Sequence, residues 1–542
     1  MSWTDHLLML PVVVPLVAGG LALLVDDVRV KAALGIASTA IVLAAAIGVL
    51  RLVDGGGSGG PAIGVYLLGN WAAPFGIVLV ADRLAAMMLV LTAVLAGAAL
   101  TFALARWHRA GSHFHSLFQF QLMGINGAFL TGDLFNLFVF FEVLLAASYG
   151  LALHGSGIAR IRAGLHYVTV NLAASFLFLI GASLMYGVTG TLNMADLAAR
   201  IPGLAGGDRT LLEVGGAVLG LAFLVKAAMW PLNFWLPGTY AAASPPVAAL
   251  FAILTKVGVY AVLRLGLLLA DGDGRPSSLL AGDWLLVGGV ATVAVGAIGA
   301  IASQSMARLG AFNVLVSSGT TLAVVGWAGP AVLGGALFYL VSSTLGIAAF
   351  FLLIELVERG RTPADDMLAV TFEAFGEVDT AEADGEDVGV AVPVTMGLLG
   401  VGFVCCTMLL AGLPPLSGFL AKFAVLSALF DRQGADAGTR VPAAAWLLLA
   451  TLLLSGFAVL IAMMRAGIRA LWPSVDREVP RVRLAELVPI ALLIGLSFTL
   501  TAQAGPVMRY MQATAEGLYA PDAYVRSVLS APPAAPGEGG GR

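Results

Sequence analysis

Residues 221–232 read LAFLVKAAMWPL: Lys226 stands at the end of an apolar run, and Pro231 follows it five positions later. A lysine at bilayer depth costs roughly 2.5–3.5 kcal/mol, so it is kept there for a reason other than packing. Pro231 has no N–H to give to a helical ladder, and it frees a carbonyl at the same depth. Pro237-Gly238 and Pro245-Pro246 follow shortly after. Irregular backbone of this kind survives in a membrane only where protein or a water-filled cavity satisfies it. The stretch therefore predicts a broken transmembrane helix with an ionisable group beside the break.

Working outward, the same pattern recurs. Residues 410–423 read LAGLPPLSGFLAKF, a second proline break, Pro414-Pro415, with Lys422 shortly after it. Two interruptions in corresponding places are the sequence pointer to an inverted repeat with its site at the breaks. Lys256 lies about eleven residues into the apolar run 245–270, near the midplane at 1.5 Å per residue. Glu142 lies inside 134–153, after Leu137-Phe138-Val139-Phe140-Phe141. Four such groups, if deep and unpaired, would cost on the order of 10–14 kcal/mol, and their default reading is an ion or proton path. Asp133 differs, because it opens its span, where a carboxylate caps exposed N–H groups.

Composition agrees. The chain has 542 residues, 59% hydrophobic and 11% charged, with a mean hydropathy of +0.96. Ordinary soluble domains are about 25% charged, so this is an integral membrane protein. Net charge is −4 and the basic residues are scattered, which excludes the basic stripe of a nucleic-acid binder. Cys405 and Cys406 are adjacent in an apolar run and suit neither a metal site nor a structural disulfide. Met1 to His6 lacks a basic n-region, and the run from Leu7 to Val25 is long enough to span, so no signal peptide is expected. Phosphate-loop and strand-linked glycine fingerprints are absent, as are metal-spaced Cys/His sets, so no cofactor is expected and energy must come from a gradient or a partner.

At roughly 20 apolar residues per span, about fourteen spans are predicted. They run near 7–25, 32–52, 84–105, 113–131, 134–153, 165–187, 211–230, 245–270, 283–303, 309–328, 331–357, 390–430, 444–468 and 485–505. The stretch 390–430 is a discontinuous helix broken at Pro414-Pro415. With both termini outside, the inner loops hold Arg29, Lys31, Arg106, Arg109, Arg160, Arg162, Arg308, Arg359, Arg361 and the arginines from Arg465 to Arg483. Positive charge favours that orientation. Residues 361–389 read as an acidic, solvated cytoplasmic loop, and 531–542 as a disordered Pro/Gly tail.

The stretches TGDLFNLFVFFEV (131–143), VKAAMWPLNFWLPGTYAAASPPVAALFAILTKVGVYAVLR (225–264) and LAGLPPLSGFLAKF (410–423) resemble the D subunit of the Mrp-type cation/proton antiporters, also called Pha or Mnh. That subunit is similar to the proton-pumping, antiporter-like subunits of respiratory complex I. The resemblance spans roughly 5–505. It implies an all-α polytopic fold of fourteen helices with two inverted five-helix repeats, helices seven and twelve broken. Helices one to three would fill 1–110, the repeats 111–270 and 283–468, helix fourteen 485–505, and a partly disordered C-terminal tail 506–542. It also implies proton translocation along a midplane row, with the fifth-helix glutamate at Glu142 and the lysines of helices seven, eight and twelve at Lys226, Lys256 and Lys422. Pro231, Pro237, Pro414 and Pro415 mark the breaks.

The pattern is not complete. Many relatives carry a histidine or lysine in the eleventh helix, whereas 338–345 offers only hydroxyls, so a proton crossing there needs water held by Ser342, Ser343 or Thr344. His166 is a candidate for an inlet or for a structural hydrogen bond. The expected function is a proton-translocating subunit of a multisubunit Na+ or K+/H+ antiporter in a bacterial inner membrane, with a large A-type subunit and small membrane subunits as partners. It would work by opening a Glu142–Lys226 pair so that Lys226 releases its proton toward Lys256 and Lys422. The alternative is a pumping subunit of a complex I-like or membrane-bound hydrogenase assembly. A non-conducting scaffold and a standalone symporter stay open as further classes.

Overall fold

The structure, a computed structural model, describes residues 5–55, 63–270, 282–327, 329–359, 393–431, 442–471 and 481–533. The acidic loop 361–389 and the end of the tail lie outside the described residues. In chain order the helices are α1 (Leu10–Leu24), α2 (Val28–Asp54), α3 (Arg83–Ala103), α4 (Phe114–Leu130), α5 (Leu134–Ala152), α6 (Ile158–Thr189), α7 (Met194–Arg200), α8 (Gly206–Lys226), α9 (Leu236–Ala242) and α10 (Pro245–Phe251). They continue as α11 (Leu254–Leu268), α12 (Gly282–Ala302), α13 (Met306–Trp327), α14 (Pro330–Glu358), α15 (Val394–Ala411), α16 (Ser417–Phe430), α17 (Ala443–Leu471), α18 (Leu484–Ala502), α19 (Ala504–Tyr519) and α20 (Asp522–Leu529). Among the described residues, 11 segments are long and apolar enough to cross a membrane.

Local chemistry sets the starts. Asp82 caps α3 by accepting from the Ala85 N–H at 2.9 Å, and Asp133 caps α5 by accepting from the Asn136 N–H at 2.9 Å. This is the capping role expected for Asp133. Both predicted breaks occur, with α8 ending at Lys226 and α15 at Ala411. Pro237 is a correction: it opens α9 at the first turn, where a missing N–H costs nothing, so the break belongs to Pro231 alone. A further interruption at Ala252-Ile253 divides the predicted span 245–270 into α10 and α11, just before Lys256.

The helices sort into layers by burial. The hydrophobic windows of the α10–α11 span, α14 and α13 are 100%, 94% and 89% buried, so these elements form the centre. Outer helices such as α6, α15 and α17 leave Phe176, Val401 and Phe457 exposed, which suits lipid or a neighbouring subunit. Two features go beyond what the sequence predicts. A hairpin pairs β1 (Gly64–Leu67) antiparallel with β2 (Val78–Ala81), Gly64 opposite Ala81. The segment assigned to the C-terminal tail instead forms α19 and α20, whose Met511, Leu518, Tyr524 and Val528 pack into the molecule.

Polar groups gather at the two ends. At one, Glu355 accepts from Trp107 Nε1 at 2.6 Å and from Arg359 at 2.9 Å, and Arg359 also reaches Glu486 at 2.7 Å. A cavity of about 330 Å³ opens there between Arg106, Arg160, Glu355 and the α9–α10 region. At the other end, Arg264 grips Asp82 with two bonds of 2.5 and 2.6 Å, and its guanidinium lies 5.3 Å from the Tyr524 ring. Burial pushes the Asp82 carboxyl upward, but the Arg264 charge and hydrogen bonds outweigh it and hold Asp82 below the usual range.

Candidate functional site

Lys226 is the last residue of α8, buried at 4% exposure. Its ammonium lies 4.9 Å from the centre of the Phe141 ring and donates to Ser175 Oγ at 3.4 Å. Ser175, on α6, in turn donates to a Glu142 carboxylate oxygen in a short hydrogen bond. The two members of the expected pair meet through one hydroxyl: among the described residues Glu142 and Lys226 form no direct ion pair, and Ser175 stands between them. The physical reason is geometric, since α5, α6 and α8 meet with the α6 serine between the two charged groups. Two hydrogen-bond lengths, roughly 6 Å, leave an interaction of about 3 kcal/mol at an effective dielectric of 20.

The proline beyond this helix leaves one carbonyl without its helical donor. In a continuous helix the Ala227 carbonyl would accept from residue 231, but Pro231 has no N–H. Ser318 Oγ of α13 takes that carbonyl at 2.6 Å, and Trp235 Nε1 donates to the Val225 carbonyl at 3.2 Å. α11 packs directly on the break. A Cβ on Gly258 would come within 2.6 Å of the Ala227 nitrogen, so only glycine allows this approach.

Lys256, in the first turn of α11, is fully buried. Its ammonium donates to Ser317 Oγ of α13 at 2.6 Å, and Ser317 pairs with Ser343 Oγ of α14 at 2.7 Å. Ser342, the adjacent residue, turns to another neighbour and pairs with Ser417 Oγ at 2.7 Å. Thr344 bonds back to the Leu340 carbonyl of its own helix at 2.6 Å. Lys422, on α16, donates to the Ala411 carbonyl at 2.8 Å. That carbonyl is the one Pro415 cannot serve, four residues on.

The structure brings Glu142 to Lys226 through Ser175, and Lys256 to Ser343 through Ser317. His166 is exposed on α6. Ser175, Ser317, Ser318 and Ser417 were missed by the sequence reading. The signal available was a hydroxyl within an apolar span, which is weak, because many serines and threonines here bond only to their own helix, as Thr92 does to the Met88 carbonyl at 2.7 Å. Chemically, an ammonium, a hydroxyl and a carboxylate in series can hold and hand over one proton. Among the described residues no cluster of His, Cys, Asp and Glu could hold a metal ion.

Known proteins share both the sequence and the fold. Residues 131–439 match the family described as NADH:quinone oxidoreductase/Mrp antiporter, TM. The chain is 57% identical over 533 residues to the D subunit of a probable K+/H+ antiporter of Rhizobium meliloti, covering 98% of this chain and 99% of that protein. It is 33% identical to the D subunit of a Na+/H+ antiporter of Alkalihalophilus pseudofirmus, covering 97% and 99%. Among solved structures, it matches a chain of the Mrp complex from Dietzia sp. DQ12-45-1b with a TM-score of 0.80 and 28% identity, covering 98% of this chain and 100% of that one.

Proposed function

The chain belongs to the NADH:quinone oxidoreductase/Mrp antiporter family, and we propose that it is a proton-translocating subunit of a multisubunit K+ or Na+/H+ antiporter. The observation that carries the reading is the Glu142–Ser175–Lys226 series between α5, α6 and the broken end of α8, with Ser175 and Lys226 buried and Glu142 half-buried. When Glu142 moves away, the Lys226 ammonium loses about 3 kcal/mol of stabilisation, worth roughly a hundredfold in proton occupancy. The proton is then released toward Lys256, and from there toward Lys422. The matched positions of the two breaks support two inverted repeats, 111–270 and 283–468, each supplying one half of the path.

In this reading the protein lies in a bacterial inner membrane, with the arginine-rich end of α14 and α18 in the cytoplasm and both termini in the periplasm. A larger A-type subunit and small membrane subunits complete the antiporter. The names of the relatives support K+ or Na+ as the exchanged ion.

The test is a cation titration of everted vesicles carrying the whole complex, with Lys226→Ala beside the wild type. K+ or Na+ should dissipate the pH gradient in the wild type and leave it standing in the variant at matched assembly. A wild-type complex that ignores every cation, yet pumps protons when an electron donor is oxidised, would transfer the chain to the redox-driven alternative.

A further inference from the structure

Between Lys256 and Lys422 stands α14, which offers neither a histidine nor a lysine in 338–345. It offers two consecutive serines that face different helices. Ser343 meets Ser317, already bonded to Lys256, and Ser342 meets Ser417, the first residue of the helix that carries Lys422. All four hydroxyls are buried. Their bonding differs from that of neighbouring hydroxyls on the same helices. Thr321 and Thr344 close onto carbonyls of their own helices, at 3.0 and 2.6 Å, which is what a serine or threonine does when it only satisfies itself. Ser317, Ser342 and Ser417 instead direct their hydroxyls to one another's helices, and Ser343, which reaches its own Leu340 carbonyl at 3.3 Å, makes its shorter bond of 2.7 Å to Ser317 on α13. One further buried hydroxyl, that of Thr255 beside Lys256, has no hydrogen-bond partner among the described residues. Buried polar atoms of this kind are satisfied by ordered water.

We propose that Ser317, Ser343, Ser342 and Ser417 form a hydroxyl relay that carries the proton across α14 between Lys256 and Lys422. The inference rests on the proton-translocating reading above. Each hydroxyl accepts one proton from the side of Lys256 and gives its own to the next acceptor, so none gains or loses a proton overall, and each must rotate back before the next passage. Lys256 begins the sequence as the donor to Ser317. Water completes the two junctions at which no direct bond is made, between the consecutive serines and between Ser417 and Lys422. Ser317 and Ser417 thereby become working residues, although neither is ionisable.

The experiment measures cation-induced dissipation of the pH gradient in vesicles with the complete complex. It compares Ser317→Ala, Ser342→Ala and Ser417→Ala with their Thr counterparts, with Thr321→Ala and with Lys256→Ala. The relay predicts at least a tenfold slower response for each Ala variant, recovery in the Thr variants, and near wild-type rates for Thr321→Ala. Where an Ala variant fails to assemble, the Cys variant keeps the volume with a poorer hydrogen-bonding group, and the same slowing is expected. Wild-type rates in all three serine variants, with Lys256→Ala inactive, would overturn the relay and leave the broader reading intact. An active Lys256→Ala complex would overturn both.

Discussion

The two helix breaks solve one problem with different atoms. At the first, Pro231 orphans the Ala227 carbonyl, and a neutral serine, Ser318 of α13, satisfies it. At the second, Pro415 orphans the Ala411 carbonyl, and the lysine itself, Lys422, satisfies it. The consequence is a division of labour. Lys226 is left free to turn toward Ser175, which in turn bonds the Glu142 carboxylate. Lys422 is held by a carbonyl at the C-terminal end of α15, where the helix dipole favours a cation. Among the described residues it has no acidic ion-pair partner. Under the proposed function, the first half would change its charge state through its carboxylate partner and the second would receive a proton at a fixed partial charge.

This contrast is broken most visibly at Lys422. Replacing it with Met keeps volume and removes the charge, and vesicle antiport should fall to background while the complex still assembles, because loss of a buried charge offsets loss of one hydrogen bond. Retained transport would mean that the second half does not conduct. Ser318→Ala should act oppositely, leaving transport measurable while the orphaned Ala227 carbonyl costs about 1–3 kcal/mol, read as a lower Tm of the purified complex. Gly412→Ala is expected to be milder. Gly412 sits at φ +79, and a Cβ there would come within 2.7 Å of the Lys422 side chain. A cost of about 1–2 kcal/mol and a slowed response should appear together, since the left-handed conformation and the lysine are disturbed at once.

The smallest effect lies away from both breaks. Asp82 is held below its ordinary value of 3.8 by Arg264, so this pair contributes stability that is complete above that value and is lost as pH falls through the lower, folded one. Melting measured from about pH 6 to about pH 3 should show a downturn at the acid end that Asp82→Asn lacks. An identical profile in the variant would mean that the pair does not set the acid limb.

Much of the architecture was legible because the costs are large. A lysine in an apolar run and a proline in a helix are both expensive at membrane depth, so Lys226, Lys256, Lys422 and the breaks at 231 and 414–415 stand out in the bare sequence. Cheap events left no mark. The turn at Ala252-Ile253 contains neither proline nor glycine, and Ser175, Ser317 and Ser417 are ordinary residues in a span until a second helix brings them a partner. The helices α19 and α20 escaped because their apolar stripes face the molecule rather than lipid, which keeps their hydropathy below that of a span. The expected contact between Glu142 and Lys226 lacked its middle member, Ser175, since no one-dimensional spacing reports a side chain from a third helix.

The most direct measurement is antiport by the assembled complex carrying Glu142→Ala, read as cation-induced collapse of a respiration-generated pH gradient in everted vesicles at matched membrane levels. The expected result is loss of the K+ or Na+ response, by about a hundredfold if the carboxylate's ~3 kcal/mol is the switch. An assembled Glu142→Ala complex that exchanges cations for protons at the wild-type rate would contradict a carboxylate-controlled proton at Lys226.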